Sequence, residues 1–519
     1  PGHGSAEKHH EPELYADMEQ DLVSRLPAGQ VDGVGFSMGA RTLLCMAAIA
    51  PDKFGKLVVA GVGRNLFERD EAQAERIAKG VQGDADQDDV HAQTFARYAA
   101  EPNQDGAALA AFMRRKHYPL GQEEFALIDS YDSGNALTGM RKDVKETVNN
   151  IRYFCGLVRE VKGETFSMEK NHLNFTRYQP YGVVLKINPF NHPFRFCVEK
   201  IAAPLLMGNS LIIKNSEQAP ISSLRFCELL DDIFPKGLIN VVTGGPENGK
   251  FLVEHPDIKR IAVIGSVNTG IAIAKSAAPL LKNISLELGG KNPIIVFEDA
   301  DPDFAAGLAI KGMNLSRQGQ SCSSTSRVLV NKKVKEKFLK SLVEKAKKIP
   351  IGLPWIETNE IGPIVSKKQF DGVMKYIQSG KEQGAKLLLG GDQNKSSDLK
   401  NGFFINPTIF CDVKPDMKIA KEEIFGPVIS VIDWDDYSEM IKIANSTQYG
   451  LTTMIVTNSL SNAMKTSEDA EVGYVWVNTA GRYSGAPYGG WKLSGIGVEE
   501  CFDEMKGYAR LKNVNMKWN

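Results

Sequence analysis

RIAVIG (Arg260–Gly265) and, a helix-length segment later, NISLELGG (Asn283–Gly290) are short β-rich runs, and their alternation with helical sequence decides the architecture. Toward the N-terminus, INVVTG (Ile239–Gly244), SLIIKN (Ser210–Asn215) and the end of FTRYQPYGVVLKINP (Phe175–Pro189) repeat the pattern. Helical stretches separate these runs, which predicts right-handed βαβ units and a parallel sheet. Further upstream, EEFALIDSYDSGN (Glu123–Asn135) and KDVKETVNNIRYFCGLVREVKG (Lys142–Gly163) read as helices. The second of these has apolar positions at helical spacing. Downstream, a second series starts at PIIVFEDAD (Pro293–Asp301) and passes through RVLVNK (Arg327–Lys332) and EIFGPVISVIDW (Glu423–Trp434) to GYVWVN (Gly473–Asn478). Two α/β domains in sequence is the simplest reading.

Composition narrows the class. A chain of 519 residues exceeds one ordinary core, and 42% apolar with 24% charged residues argues against disorder. A net charge of −1 gives no reason to expect nucleic acid or a membrane surface as partner. The longest apolar runs, such as Leu43–Ala50, fall far short of the roughly 20 residues of a membrane span. The first residues are polar, without the apolar segment of a signal peptide, and their lack of Met suggests an internal start. Seven scattered cysteines without a C-x-x-C pair argue against a disulfide framework or a zinc site, so no metal is expected and a reducing cytoplasm fits best.

The character of the chain changes near residue 120. Residues 1–120 hold 20 Ala with 5 Lys and 8 Arg, whereas residues 121–519 hold 23 Ala with 38 Lys and 11 Arg. The double switch predicts two pieces of different origin, a fusion. In the first piece, the strand Val31–Gly35 leads into GFSMG (Gly35–Gly39), then the helical ARTLLCMAAIA (Ala40–Ala50) and the strand KLVVAGVG (Lys56–Gly63). A strand, G-x-S-x-G and a helix form a nucleophile elbow, where glycines permit the sharp turn that exposes the serine. This stretch resembles the middle of an α/β-hydrolase, with GHGS (Gly2–Ser5) as the loop before the elbow, and the resemblance implies Ser37 as nucleophile. The remaining triad candidates are the acidic run Asp84–Asp89, His91 and His117. They fall where that family places a helical cap, so a working hydrolase is not expected.

The remainder carries a set of chemical motifs. SLELGGKNP (Ser285–Pro293) holds a glutamate and GQSCSSTSR (Gly319–Arg327) a cysteine. NPFNHPF (Asn188–Phe194), IIKNSEQAP (Ile212–Pro220), IGSVNTG (Ile264–Gly270), EEIFGPV (Glu422–Val428) and PYGGWKLSGIG (Pro487–Gly497) complete it. Taken alone, a cysteine is most often a small buried hydrophobe and an asparagine after a strand a helix cap. No histidine follows His255, so a papain-like Cys–His pair would need a distant partner.

Together and in this order, the motifs identify residues from about 121 to 519 as similar to the aldehyde dehydrogenase superfamily. The resemblance implies an α/β fold with a Rossmann-type NAD-binding domain (121–288, with oligomerisation strands near 166–184) and an α/β catalytic domain (289–475). A C-terminal segment (476–519) would complete the active site, and the hydrolase-like fragment (1–120) would precede it all. Cys322 would be the nucleophile, Glu287 the general base, and Asn191 the oxyanion donor. Lys200 and Glu499 would move protons; alone, either reads as an ordinary surface charge. For the cofactor, Lys214 and Glu217 would bind the adenine ribose, Gly265 and Ser266 the pyrophosphate, and Glu423 the nicotinamide ribose. Phe425, Ile187 and Pro189 would pack nearby. Glu217 would repel a 2′-phosphate, which favours NAD over NADP. The reaction implied is oxidation of a small-molecule aldehyde to an acid through a thiohemiacetal and a thioester, in a homo-oligomer, dimer or tetramer.

Two departures from the family pattern matter. His192, Glu199 and Arg482 stand where tunnel residues are often aromatic, so either those charges are solvated on displaced loops or the aldehyde is polar. The resemblance also begins late, which predicts that about a hundred N-terminal residues of the family are missing. A bifunctional esterase–dehydrogenase and a catalytically silent NAD-binding chimera are the alternatives.

Overall fold

The computed structural model describes residues 122–519 apart from 168, 231–232 and 397, together with parts of the first 121, chiefly 18–36, 53–60 and 71–84. The contacts divide the chain into two units, Pro1–Glu124 and Phe125–Asn519. In the first unit, β1 (Val31–Phe36) pairs in parallel with β2 (Phe54–Ala60), and helices cover Met18–Ser24 and Glu71–Val81. Strands occur at both expected places, the second starting at Phe54 rather than Lys56, while residues 61–63 lie outside the described residues. Ser37, His91, His117 and Gly2–Ser5 lie outside the described residues.

Two helices follow, Gln122–Ser133 across the boundary and Leu137–Leu157 inside the second unit. The sequence places the second at 142–163; the helix instead starts five residues earlier and gives way to a 3-10 turn at Val158–Glu160. No side chain caps its start. Tertiary acceptors serve instead, since Ala136 N donates to Ser316 O (2.8 Å) and Leu137 N to Pro354 O (2.9 Å). The stretch read as one alternating-then-buried segment is two strands, β4 (His172–Pro180) and β5 (Val183–Asn188), split at Gly182 with φ +100°. With β3 (Thr165–Phe166) and β20 (Ala509–Lys517), β4 makes an antiparallel three-stranded sheet in the order β20-β4-β3.

β5 joins the sheet that positions the candidate cofactor groups. Its order is β19-β9-β8-β5-β6-β7, from β6 (Ser210–Asn215), β7 (Ile239–Val242), β8 (Ile258–Ile264), β9 (Asn283–Glu287) and β19 (Gly495–Ile496). All pairings are parallel except the short edge strand β19, which runs antiparallel to β9. The second sheet orders β12-β13-β14-β11-β10-β16-β17. These are β10 (Pro293–Val296), β11 (Arg327–Asn331), β12 (Lys386–Leu389), β13 (Thr408–Cys411), β14 (Val428–Trp434), β16 (Thr452–Val456) and β17 (Tyr474–Val477). Only β12 is antiparallel. Its central strands are buried throughout because helices pack on both faces, as the unbroken apolar runs require. A last small pair, β15 (Tyr449–Gly450) with β18 (Trp491–Lys492), ties the C-terminal segment to the second sheet's side of the unit. Among the described residues, no helix is long and apolar enough to cross a membrane.

Candidate active site

Cys322 lies in the loop between the helix Pro302–Gly312 and β11. Asn292 holds that loop: its Nδ2 donates to Cys322 O (2.6 Å) and Ser324 O (3.0 Å), while its Oδ1 accepts from Thr452 N (3.1 Å). Asn292 is buried, so losing these bonds would leave polar groups unpaired, a cost of about 1–3 kcal/mol each. Ser324 Oγ donates to Met313 O (2.9 Å) and pins the far side of the turn. The two glycines of the glutamate signature set the spacing. A Cβ at Gly290 would stand 2.8 Å from Cys322 O, and one at Gly289 would stand 2.1 Å from Glu423 Oε2. At Gly290 only glycine lets the backbone of Cys322 approach, whereas the neighbour of Gly289 is a movable carboxylate; Gly290 N donates to Glu423 Oε1 (3.0 Å).

A cavity of about 300 Å³ opens here, lined by Cys322, Asn191, Pro189, Gly265, Ser266 and Phe425 among others, with Glu423 on its wall. Phe425 is left-handed (φ +56°), an uncommon conformation for a bulky residue. Gln369 Nε2 holds its carbonyl (3.0 Å), and its ring meets Phe190 edge-on at 5.8 Å. A second cavity of about 570 Å³ is lined by Ile187, Lys214, Glu217, Gly249, Asn268 and Thr269 and by further residues of the two flanking helices. Lys214 Nζ lies 3.6 Å from Glu217. Ser266 caps the helix Val267–Ala277 by accepting from Thr269 N, which leaves the other N–H groups of that turn for a ligand. A Cβ at Gly265 would meet nothing closer than 3.8 Å, and at Gly249 nothing closer than 4.0 Å. Internal packing therefore does not demand these glycines; the space belongs to the cavities. The two cavities draw on neighbouring residues of β5 and of the β8-to-helix turn, a position and size suited to a dinucleotide.

Glu287, at the end of β9, is buried, and its Oε1 has no hydrogen-bond partner among the described residues. Burial pushes its carboxyl far above the usual range, Glu499 pushes the same way, and Lys200 and Arg482 oppose. Lys200 Nζ pairs with Glu499 Oε2 at 2.9 Å, both buried, rather than acting as a surface charge. Glu499 holds Lys200 well above the ordinary lysine value against the cost of burial. Asn191 is buried beside Cys322 on the cavity wall, its backbone carbonyl fixed by Asn135 Nδ2 (3.0 Å).

Burial shapes both the thiol and the tunnel charges. The nucleophile requires a depressed thiol pKa, yet burial pushes Cys322 up to about 12; Arg482 and the Ser323 N–H pull the other way without prevailing. In this state the group is a neutral thiol. Alkylation of Cys322 by iodoacetamide, followed by peptide mass spectrometry, is therefore expected to accelerate about tenfold per pH unit from 7 to 10. A plateau near pH 8.5, as for a free thiol, would contradict it. Of the three tunnel charges, Glu199 is buried and His192 largely so, whereas Arg482 is exposed. Glu199 is buried between Arg195 Nε (2.9 Å), Asn150 Nδ2 (2.8 Å) and Lys200 (3.6 Å), and its carboxyl sits at about 2. His192 Nδ1 lies 2.6 Å from Asp143, which also pairs with Arg317. Arg482 pairs with Glu500 at 2.6 Å and stacks 3.6 Å over the Tyr488 ring.

The aldehyde dehydrogenase family model matches residues 83–514. The chain belongs to the aldehyde dehydrogenase family. The match begins well before residue 121, inside the segment set apart by composition. The chain is 43% identical over 415 residues to the aldehyde dehydrogenase tropH of Talaromyces stipitatus, covering 78% of this chain and 80% of that one. It is 40% identical over 397 residues to human retinaldehyde dehydrogenase 3, covering 76% and 77%. Among solved structures it resembles the NAD+ complex of an aldehyde dehydrogenase from Bacillus cereus, at 34% identity, TM-score 0.74 and 88% and 87% coverage. A point mutant of apo betaine aldehyde dehydrogenase from Staphylococcus aureus gives 31%, 0.74, and 86% and 82%. As a member of this family the protein is an oxidoreductase acting on an aldehyde. Sequence reasoning passed over Asn292, though it stands inside a quoted signature, and Asn135, whose partner lies 56 residues away with no local signal.

Proposed function

We propose that this dehydrogenase oxidises an aldehyde to a carboxylic acid with NAD, using Cys322 as nucleophile, Asn191 as oxyanion donor and Glu287 as base. The observation that carries it is the joining of Cys322 and Glu423 through Gly289 and Gly290, which puts a nucleophile and a dinucleotide-sized cleft on one cavity wall. Lys214, Glu217, Gly265, Ser266, Glu423, Phe425, Ile187 and Pro189 would hold the cofactor. When bound, NAD supplies the two-electron oxidant that turns a thiohemiacetal into a thioester.

The chain's own groups account for the rest. Cys322 Sγ, its proton lost to solvent, bonds to the aldehyde carbon, and the resulting oxyanion takes hydrogen bonds from Asn191 and the Cys322 N–H. After oxidation, ionised Glu287 takes a proton from water, whose oxygen attacks the thioester carbon and releases the acid and the thiolate. Lys200 and Glu499 lie in the electrostatic field of Glu287 and would pass its proton on.

Glu217 sets the coenzyme. The wild type should produce NADH, read at 340 nm with a short aldehyde, at least about tenfold more efficiently than NADPH, and Glu217→Ala should narrow that gap. Absence of any reduced coenzyme from the wild type would overturn the proposed activity; an unchanged ratio in the variant would overturn the assignment of Glu217.

The three-stranded sheet, with Leu511 and Met516 exposed on β20, supports assembly as a homo-oligomer, dimer or tetramer. The unpaired state of the six described cysteines supports a reducing compartment such as the cytoplasm. Ahead of residue 83, where the family match begins, the parallel pair β1 and β2 supports a hydrolase-like origin.

A further inference from the structure

We propose that Asp143 is a positioning residue for the reaction, one buried carboxylate that ties the nucleophile's loop to the loop of the oxyanion donor. The inference rests on the reading of Cys322 and Asn191 given above. Asp143 belongs to the helix Leu137–Leu157 and is 1% exposed. Each of its oxygens holds a different loop. Oδ1 accepts from Arg317 Nη2 (2.5 Å), and Oδ2 accepts from His192 Nδ1 (2.6 Å). An ionised carboxylate can only accept, so the imidazole carries its proton on that nitrogen. Arg317 Nε stands 3.2 Å from the same nitrogen, which makes the three groups one closed set. Arg195 lies 3.7 Å from Oδ1 and is itself engaged by Glu146 (2.5 Å) and Glu199 (2.9 Å).

Neither arm is slack. Arg317 ends the 3-10 turn Leu315–Arg317, at the head of the loop that carries Cys322. Gln318 and Gly319 follow in left-handed backbone, at φ +55° and +71°. Gln318 Nε2 donates to Gly134 O (2.7 Å), and Gln320 N donates to Arg317 O (2.7 Å). The helix of Asp143 also lies close to this turn, since a Cβ at Gly139 would stand 3.1 Å from the Ser316 side chain. On the other arm, His192 directly follows Asn191 and opens the helix Pro193–Val198 without capping it, its ring being spent on Asp143. Asn135, in the turn that leads into the helix of Asp143, holds the Asn191 carbonyl (3.0 Å). One helix and its leading turn thus grip both loops whose ends, Cys322 and Asn191, line one cavity. Burial pushes the Asp143 carboxyl up, but Arg317, His192 and Arg195 together hold it well below the usual range, so it stays charged. Stabilising an oxyanion depends on where the donor stands relative to the attacking atom, and small misplacements are costly. Asparagine at this position would keep the volume and lose the match. With one acceptor and one N–H₂ group, it sets donor against donor on one of the two arms.

The test is a double-mutant cycle on the oxidation of propanal, read as NADH at 340 nm. Asn191→Ala should lower kcat about 10²–10³-fold. Asp143→Asn should lower kcat about tenfold or more and leave the NAD dissociation constant within about twofold. In the double variant kcat should stay within about twofold of Asn191→Ala alone, because Asp143 acts through Asn191. Losses that multiply, as independent damage to the fold would give, would overturn the proposal. So would an Asp143→Asn enzyme that turns over within about twofold of the wild type. Should Asp143→Asn fail to fold, seen as loss of the NAD-stabilised melting transition, His192→Phe takes its place in the cycle. That variant keeps the pair of Asp143 with Arg317, and the same non-additive loss is expected; unchanged turnover or multiplying losses would overturn the proposal. A wild type that forms no NADH, or an Asn191→Ala enzyme at the wild-type rate, would overturn the reading of the site and the proposal with it. Multiplying losses in an active enzyme would overturn the proposal alone.

Discussion

Cys322→Ala is expected to abolish aldehyde-dependent NADH formation, a loss on the order of 10⁵-fold or more in kcat, while coenzyme binding persists. The size follows from the site. Among the described residues no second thiol lines the cavity, the Ser266 hydroxyl there is engaged by Thr269, and Ser321 and Ser323 point their hydroxyls at each other across 3.2 Å. Alanine removes only the Sγ, and the Asn292 clamp binds the backbone of residue 322 rather than its side chain, so the loop should keep its shape. Thermal stabilisation by NAD, measured beside the 340 nm assay, separates loss of chemistry from loss of fold. Residual turnover above about one part in 10³ of wild type would place the nucleophile elsewhere.

Glu287→Gln should act on the second half of the reaction. Acylation proceeds, so about one NADH per active site appears in a burst, and steady-state turnover then falls by about 10²–10⁴-fold. Rapid mixing resolves the two phases. Loss of the burst as well would make Glu287 the base for the thiol instead. The pH dependence has a definite sign. Burial and Glu499 raise the Glu287 pKa, so the carboxyl is protonated and idle at low pH, and deacylation should rise with pH through a midpoint well above the usual carboxylate range of about 4. In Glu287→Gln that limb should vanish from what turnover remains.

Much of this site could be read from the chain. Cys322, Glu287, Asn191, Glu423 and Gly265 sit in contiguous signatures, because each is delivered by a single strand end or tight turn whose glycines and prolines leave a local trace. Most parallel strands of both sheets were visible, since strands buried on both faces produce unbroken apolar runs, but β12, β13, β16 and the edge strand β19 were not picked out. What sequence could not supply was pairing across long separations. Glu199 and His192 read as tunnel charges because nothing near them announces Arg195, Asn150, Asp143 or Arg317, and their burial emerges only once two helices pack together. The thiol pKa escaped for the same reason. Enclosure is a property of the assembled cavity, and it outweighs the guanidinium of Arg482. The start of the helix at Leu137 likewise depends on acceptors far downstream, at Ser316 and Pro354.

The joint at Gly289 and Gly290 has one further consequence. It makes the nucleophile's loop and the Glu423 carboxylate share a single wall, with Gly290 standing against both. A shift of the Glu423 carboxylate would be felt at the Gly289–Gly290 backbone, which stands against the carbonyl of Cys322. The least replaceable position in this enzyme would then be Gly290, which carries no functional group at all.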